Sequence, residues 1–155
     1  MGEGSAALIL TAVGLGGIAL QWPIGWLADH VDRRKVLLFC AAGGGAGALL
    51  LPLMVSEGSA FWIMLFLWGG LFAGVYTVSM ALVGQRFRGA ELVTASAAFG
   101  LLWGLGGLAG PSLGGFAMDL WDPDGLPAVL FLACAGFICL ALYRYWRGQD
   151  RKSVV

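Results

Sequence analysis

Five runs of about twenty apolar residues, separated by short polar linkers, constrain this chain more than any other feature. The runs cover approximately 6–27, 36–55, 60–83, 93–118 and 126–145. A bilayer's hydrocarbon core of ~30 Å is crossed by about 20 helical residues. Each run is therefore long enough to span once, and inside lipid a helix is the simplest way to satisfy every backbone polar group. Spanning strands are a poor fit, since they run about ten residues and alternate in polarity, and nothing here alternates. The expected class is an all-α membrane protein with five transmembrane helices in one bundle (1–155), the last part (146–155) forming a short basic tail. The 59% hydrophobic content and mean hydropathy of +0.85 agree with it, as soluble domains average roughly 45–50% apolar residues.

The few charges sit in the linkers. Arg33, Arg34 and Lys35 follow the first run, Arg86 and Arg88 the third, and Arg144, Arg147, Arg151 and Lys152 lie at or beyond the end of the fifth. Five alternating helices place all nine basic residues on one face, which the positive-inside rule makes cytoplasmic. Glu3, Glu57, Asp119, Asp122 and Asp124 fall on the other face. The expected topology is N-terminus outside and C-terminus inside, in the cytoplasmic (inner) membrane. The first residues lack the basic n-region of a signal peptide. No ionisable side chain lies near the middle of a run, where such residues mark proton or ion paths, so a proton relay within the chain is not expected.

The same inventory argues against an enzyme. There is no HExxH motif and no Cys/His cluster, so neither a metal site nor a cofactor is expected. The paired carboxylates Asp29 and Asp32 stand beside three cations, which does not make a metal-binding acid cluster. Cys40, Cys134 and Cys139 lie inside apolar runs and read as small buried hydrophobes. A net charge of zero gives no sign of nucleic acid as a partner.

The first linker is the most specific segment. It reads Gly25-Trp26-Leu27-Ala28-Asp29-His30-Val31-Asp32-Arg33-Arg34-Lys35. A generic positive connector requires neither Gly four residues before Asp nor Arg four after it. This pattern resembles the signature loop of the major facilitator superfamily, matching at Gly25, Leu27, Ala28, Asp29, Asp32, Arg33 and Arg34. It departs at His30, where the family usually carries Arg or Lys, so one fixed positive charge is replaced by a group that is largely neutral at pH 7.

A second segment, Gly106-Gly107-Leu108-Ala109-Gly110-Pro111-Ser112-Leu113-Gly114-Gly115, is similar to a Gly-Pro pattern of the same family. Pro111 removes a backbone donor and crowds the carbonyl four residues back, at Gly107, so a bend is expected there. Gly106, Gly110 and Gly114 recur every four residues and form a smooth stripe suited to another helix.

The resemblance implies twelve spans in two six-helix halves for a whole transporter of this kind. The signature loop follows the second helix of either half. The five spans then correspond to the second through sixth or the eighth through twelfth. Gln21-Trp22-Pro23-Ile24-Gly25, the short basic tail, and the lack of an Arg in the third run favour the eighth through twelfth, an incomplete C-terminal half. An N-terminal half, a second subunit or a second copy of the chain is the implied partner besides the lipid bilayer, and a truncated gene is the simplest source.

The resemblance also assigns roles. Asp29 becomes a gate residue contacting a helix of the other half, with Gly25, Asp32, Arg33 and Arg34 in its supporting loop. The third span would line the path of a small solute, with contributions from the first and fourth. Gln21, Trp22, Tyr76, Ser79, Ser96 and Trp103 are the polar or aromatic residues inside those spans, and Gln21, Tyr76, Ser79 and Trp103 are the leading candidates. Tyr76 and Ser79 share a helix face by their spacing of three. Two functional classes follow: part of a secondary transporter working by alternating access, or a small five-helix membrane scaffold or interaction subunit without transport of its own. Substrate, direction and coupling ion are not encoded in these residues.

Overall fold

The computed structural model describes residues 3–55, 58–121 and 124–150. Among them the regular structure is helical: α1 (Glu3–His30), α2 (Arg33–Met54), α3 (Ser59–Arg86), α4 (Ala90–Leu120) and α5 (Gly125–Asp150). All five contain a stretch long and apolar enough to cross a membrane. Each helix outruns the apolar run it contains by a few residues at one or both ends, because helical turns continue into the polar linkers. α5 continues through 146–150, residues assigned by composition to the tail. Glu57, Asp122, Arg151 and Lys152 lie outside the described residues.

The helix ends follow local chemistry. Asp32 caps α2: its Oδ1 accepts from the Arg34 amide at 2.9 Å, and its carbonyl accepts from Lys35 and Val36. α3 stops where Phe87 turns extended, its amide still donating to the Val83 carbonyl at 3.1 Å. Gly89, at φ +58°, then redirects the chain into α4. Pro23, Pro52 and Pro111 lie inside continuous helices; α4 runs unbroken through Pro111, as long transmembrane helices tolerate.

α3 is the central element. It packs against α1 and α2; α2 also packs on α5, and α5 on α4. The α1–α3 crossing is close enough that a methyl group on Gly16 would collide with the Phe66 carbonyl, and one on Gly69 with the Val13 carbonyl. This is the small-residue packing expected when helices associate in lipid by backbone approach. The buried core gathers at the end carrying the first linker: Ala28, Val36, Leu37, Cys40 and Val78, flanked by Ile24, Leu27, Leu71, Val75 and Leu82. Midway along, the Trp68 indole N–H donates to the Gly44 carbonyl at 2.8 Å.

Elsewhere large apolar side chains face outward, among them Ile18 (73% exposed), Trp22 (80%) and Leu108 (75%). In α4 only Gly114 is buried. Of the cysteines, Cys40 is buried, Cys134 half-buried and Cys139 exposed. The expectation of three buried thiols therefore holds for Cys40 alone; Cys139 sits on a face of α5 that none of these helices covers.

Candidate gate and path residues

The first linker is a tight turn. α1 ends at His30, α2 begins at Arg33, and the Val31 amide donates to the Leu27 carbonyl at 2.9 Å. Arg33 organises it. Its Nη2 donates to Asp29 Oδ1 at 2.7 Å, its Nε to the Ala28 carbonyl at 3.2 Å, and its Nη1 to the Ala81 carbonyl at 3.1 Å, 48 residues away in α3. One planar guanidinium thus binds the end of α1 to the last turns of α3, a fixed-fork geometry that a Lys ammonium does not reproduce. The Arg33 side chain is 23% exposed and that of Asp29 65%, so the ion pair itself contributes only ~0–1 kcal/mol.

The remaining loop residues divide by role. Asp32 is occupied in capping α2, and Arg34 is exposed, held only through its backbone amide. Gly25 lies within α1 with nothing near the position of a Cβ. His30 Nδ1 lies 2.8 Å from the Trp26 carbonyl, and the two rings are 4.3 Å apart. A carbonyl can only accept, so Nδ1 is the nitrogen that donates in this contact.

Nearer mid-helix, the structure brings together two of the four leading path residues. The Tyr76 ring on α3 meets Trp103 on α4 edge-on, with centroids 4.7 Å apart, and Phe99 completes the group at 5.4 Å from Tyr76. Trp103 also borders an apolar cavity of about 210 Å³ between α2, α3, α4 and α5, lined by Ala41, Phe72, Val75, Cys134 and Phe137 among others. For scale, an engineered apolar cavity of ~150 Å³ accepts benzene. Ser79 is half-buried, one turn along α3 from Tyr76, and Gln21 is exposed on α1. Trp22 is exposed and Ser96 half-buried. Sequence reasoning missed Phe72, Phe99 and Phe137. Phe99 carried a legible signal, lying four residues before Trp103 and so on the same helix face; the other two need knowledge of which helices adjoin.

The Gly-Pro segment lies on α4. A Cβ at Gly114 would meet the Leu126 side chain of α5, whereas Gly106, Gly107, Gly110 and Gly115 have open space beside them. The Ser112 hydroxyl donates to the Leu108 carbonyl of its own helix at 3.3 Å. Among the described residues no group of His, Cys, Asp and Glu is placed to hold a metal ion.

The sequence model described as Major Facilitator Superfamily matches residues 1–154. Similar curated proteins include the uncharacterized MFS-type transporter YfkF of Bacillus subtilis (strain 168), 29% identical over 92% of this chain and 34% of its own length. Monocarboxylate transporter 11 of Mus musculus is 31% identical over 94% and 34%. The multidrug transporter MdfA of Edwardsiella ictaluri (strain 93-146) is 28% identical over 87% and 32%. The chain spans about a third of the length of the curated relatives it matches. No solved structure matches it.

Proposed function

We propose, from the premise that this chain belongs to the major facilitator superfamily, that it forms part of a secondary transporter that moves a small solute across the cytoplasmic membrane by alternating access. It is a multi-pass integral membrane protein with five membrane-crossing helices. The observation that carries the reading is the first linker: a family-type loop in which Arg33 connects Asp29 at the end of α1 to the Ala81 carbonyl in α3. A loop bonded to two helices at once transmits a displacement of one to the other.

In this reading Asp29 is the gate residue and Arg33 positions it. Asp29 Oδ1 is engaged by Arg33, and its exposed carboxylate is accessible to a helix supplied by an N-terminal half, a second subunit or a second copy. The basic ends of α1, α3 and α5 face the cytoplasm, so the N-terminus is outside, as the positive-inside rule favours. Tyr76 and Trp103 line the solute path, with Phe99 beside them; Gln21 and Ser79 also contribute. An apolar, aromatic lining with no ionisable group near mid-span suits a neutral or amphipathic solute.

The test is Asp29→Asn in the transporter carrying this sequence. Insertion and expression should persist while uptake falls severalfold. Uptake at the unsubstituted rate would remove the gate assignment.

A further inference from the structure

Among the described residues, the linker chemistry leaves a surplus of positive charge without an ion-pair partner. Both hinge carboxylates are engaged, Asp29 by Arg33 and Asp32 as the cap of α2. The side chains of Arg34, Lys35, Arg86, Arg88 and Arg144 are exposed and hold no ion pair among the described residues. The other acids at this end are Glu91, in the first turn of α4, and Asp150, the last residue of α5.

These cations share one end of the bundle. The Arg33–Ala81 hydrogen bond places the start of α2 beside the last turns of α3, and so the 34–35 pair near Arg86 and Arg88. Gly45 of α2 lies against Cys134 of the antiparallel α5. Ten residues separate Gly45 from Lys35 and ten separate Cys134 from Arg144. At about 1.5 Å per residue, both cations stand ~15 Å from that contact in the same direction. Immediately beside the cations, Trp26 (56% exposed), Val31 and Phe39 (64%) present apolar surface outward.

We infer that this end of the bundle binds anionic phospholipid headgroups, the phosphates on Arg34, Lys35, Arg86, Arg88 and Arg144 and the acyl chains along the apolar flank of Trp26 and Phe39. Cations at helix ends attract anionic lipid through the surface potential. The adjoining exposed Trp and Phe mark where headgroups give way to chains. Free phosphate would have no use for that flank, whereas a diacyl lipid engages both parts.

The experiment reconstitutes the full chain in vesicles of equal phosphatidylcholine and phosphatidylglycerol. It measures, by spin-labelled lipid, the motionally restricted fraction of each. Phosphatidylglycerol should associate about three- to tenfold more strongly than phosphatidylcholine at low salt. The preference should fall towards unity in ~1 M salt, where charges are screened within about 3 Å. It should fall likewise in the combined Arg34→Gln, Lys35→Gln, Arg86→Gln, Arg88→Gln variant. Equal association of the two lipids in the unsubstituted chain, or a preference that survives high salt, overturns the inference. So does loss of the preference when phosphate replaces chloride at constant ionic strength, which would assign the cations to free phosphate. The salt series uses the unsubstituted chain and decides the question even if the fourfold variant fails to insert.

Discussion

Both the α1–α3 seam and α4 are rich in glycine, yet their glycines meet different surroundings. Gly16 and Gly69 lie against the backbone of the facing helix, while Gly100, Gly104, Gly106, Gly107 and Gly110 have nothing within 4 Å of where a Cβ would stand. The seam shows what such glycines accomplish when a partner is present: they let two helices approach until main chain meets main chain, where dispersion and weak hydrogen bonds act without an intervening side chain. In α4 the same residue type provides a smooth surface that only Gly114 uses, against Leu126 of α5. Glycine content thus reports a capacity for close packing, and only the neighbours decide whether that capacity is realised.

The largest expected effect lies in the seam. Gly69→Ala drives a methyl group into the Val13 backbone, which no rotamer change relieves, so α1 and α3 must separate. Overpacking of this kind costs typically 1–3 kcal/mol, and a backbone obstacle puts it at the upper end, about 3 kcal/mol. Reversible unfolding in mixed micelles should show it as an earlier transition. A transition unmoved by the substitution would mean that the two helices are not in backbone contact and would erase the contrast with α4.

An intermediate effect is expected at Arg33, where α1, α2 and α3 converge. Arg33→Gln removes the ion pair to Asp29 and shortens the fork that reaches the Ala28 and Ala81 carbonyls. Hydrogen bonds from a charged group contribute ~1.5–3 kcal/mol, and partial exposure reduces this, so a loss of about 1–2 kcal/mol is expected. Arg33→Lys should recover only part of it, because an ammonium cannot span three separated acceptors in one plane. Full recovery by Lys would show that charge alone sustains the corner.

The legible part of the fold was set by the solvent. Lipid forces helices and fixes their length, so five apolar runs became five helices, and the linkers gave the turns. Asp32 preceding an apolar run was readable as a start signal. The pairing of Arg33 with Asp29 was readable as charge spacing, but its reach to Ala81 was not. A carbonyl 48 residues away carries no mark in the sequence, and every residue of a helix offers one. The aromatic site divides similarly. Tyr76 and Trp103 stand out as rare types inside spans, whereas Phe72 and Phe137 look like any lipid-facing phenylalanine until α3 and α5 are placed around Ala41. The α4 stripe was legible as a packing face by its period of four, but that period does not say which helix lies against it; among these five only Leu126 of α5 meets it, at Gly114.

The smallest effect sharpens the comparison most. Gly104→Ala adds a methyl group where nothing stands within 4 Å, so no collision opposes it. It also relieves a helix-interior glycine, a change favourable by roughly 1 kcal/mol in water-soluble hosts and less where lipid already favours helix. The transition of this chain should therefore stay within about 0.5 kcal/mol of the unsubstituted one, against about 3 kcal/mol for the identical change at Gly69. The same substitution in a full-length transporter carrying this sequence separates two structures for α4. If its face stays in lipid there, Gly104→Ala remains neutral; if a further helix seats on it, the methyl group meets backbone and the effect approaches that at Gly69. A large loss in the isolated chain would mean that α4 already has a partner at Gly104, such as a second copy, and a concentration-dependent transition would identify it.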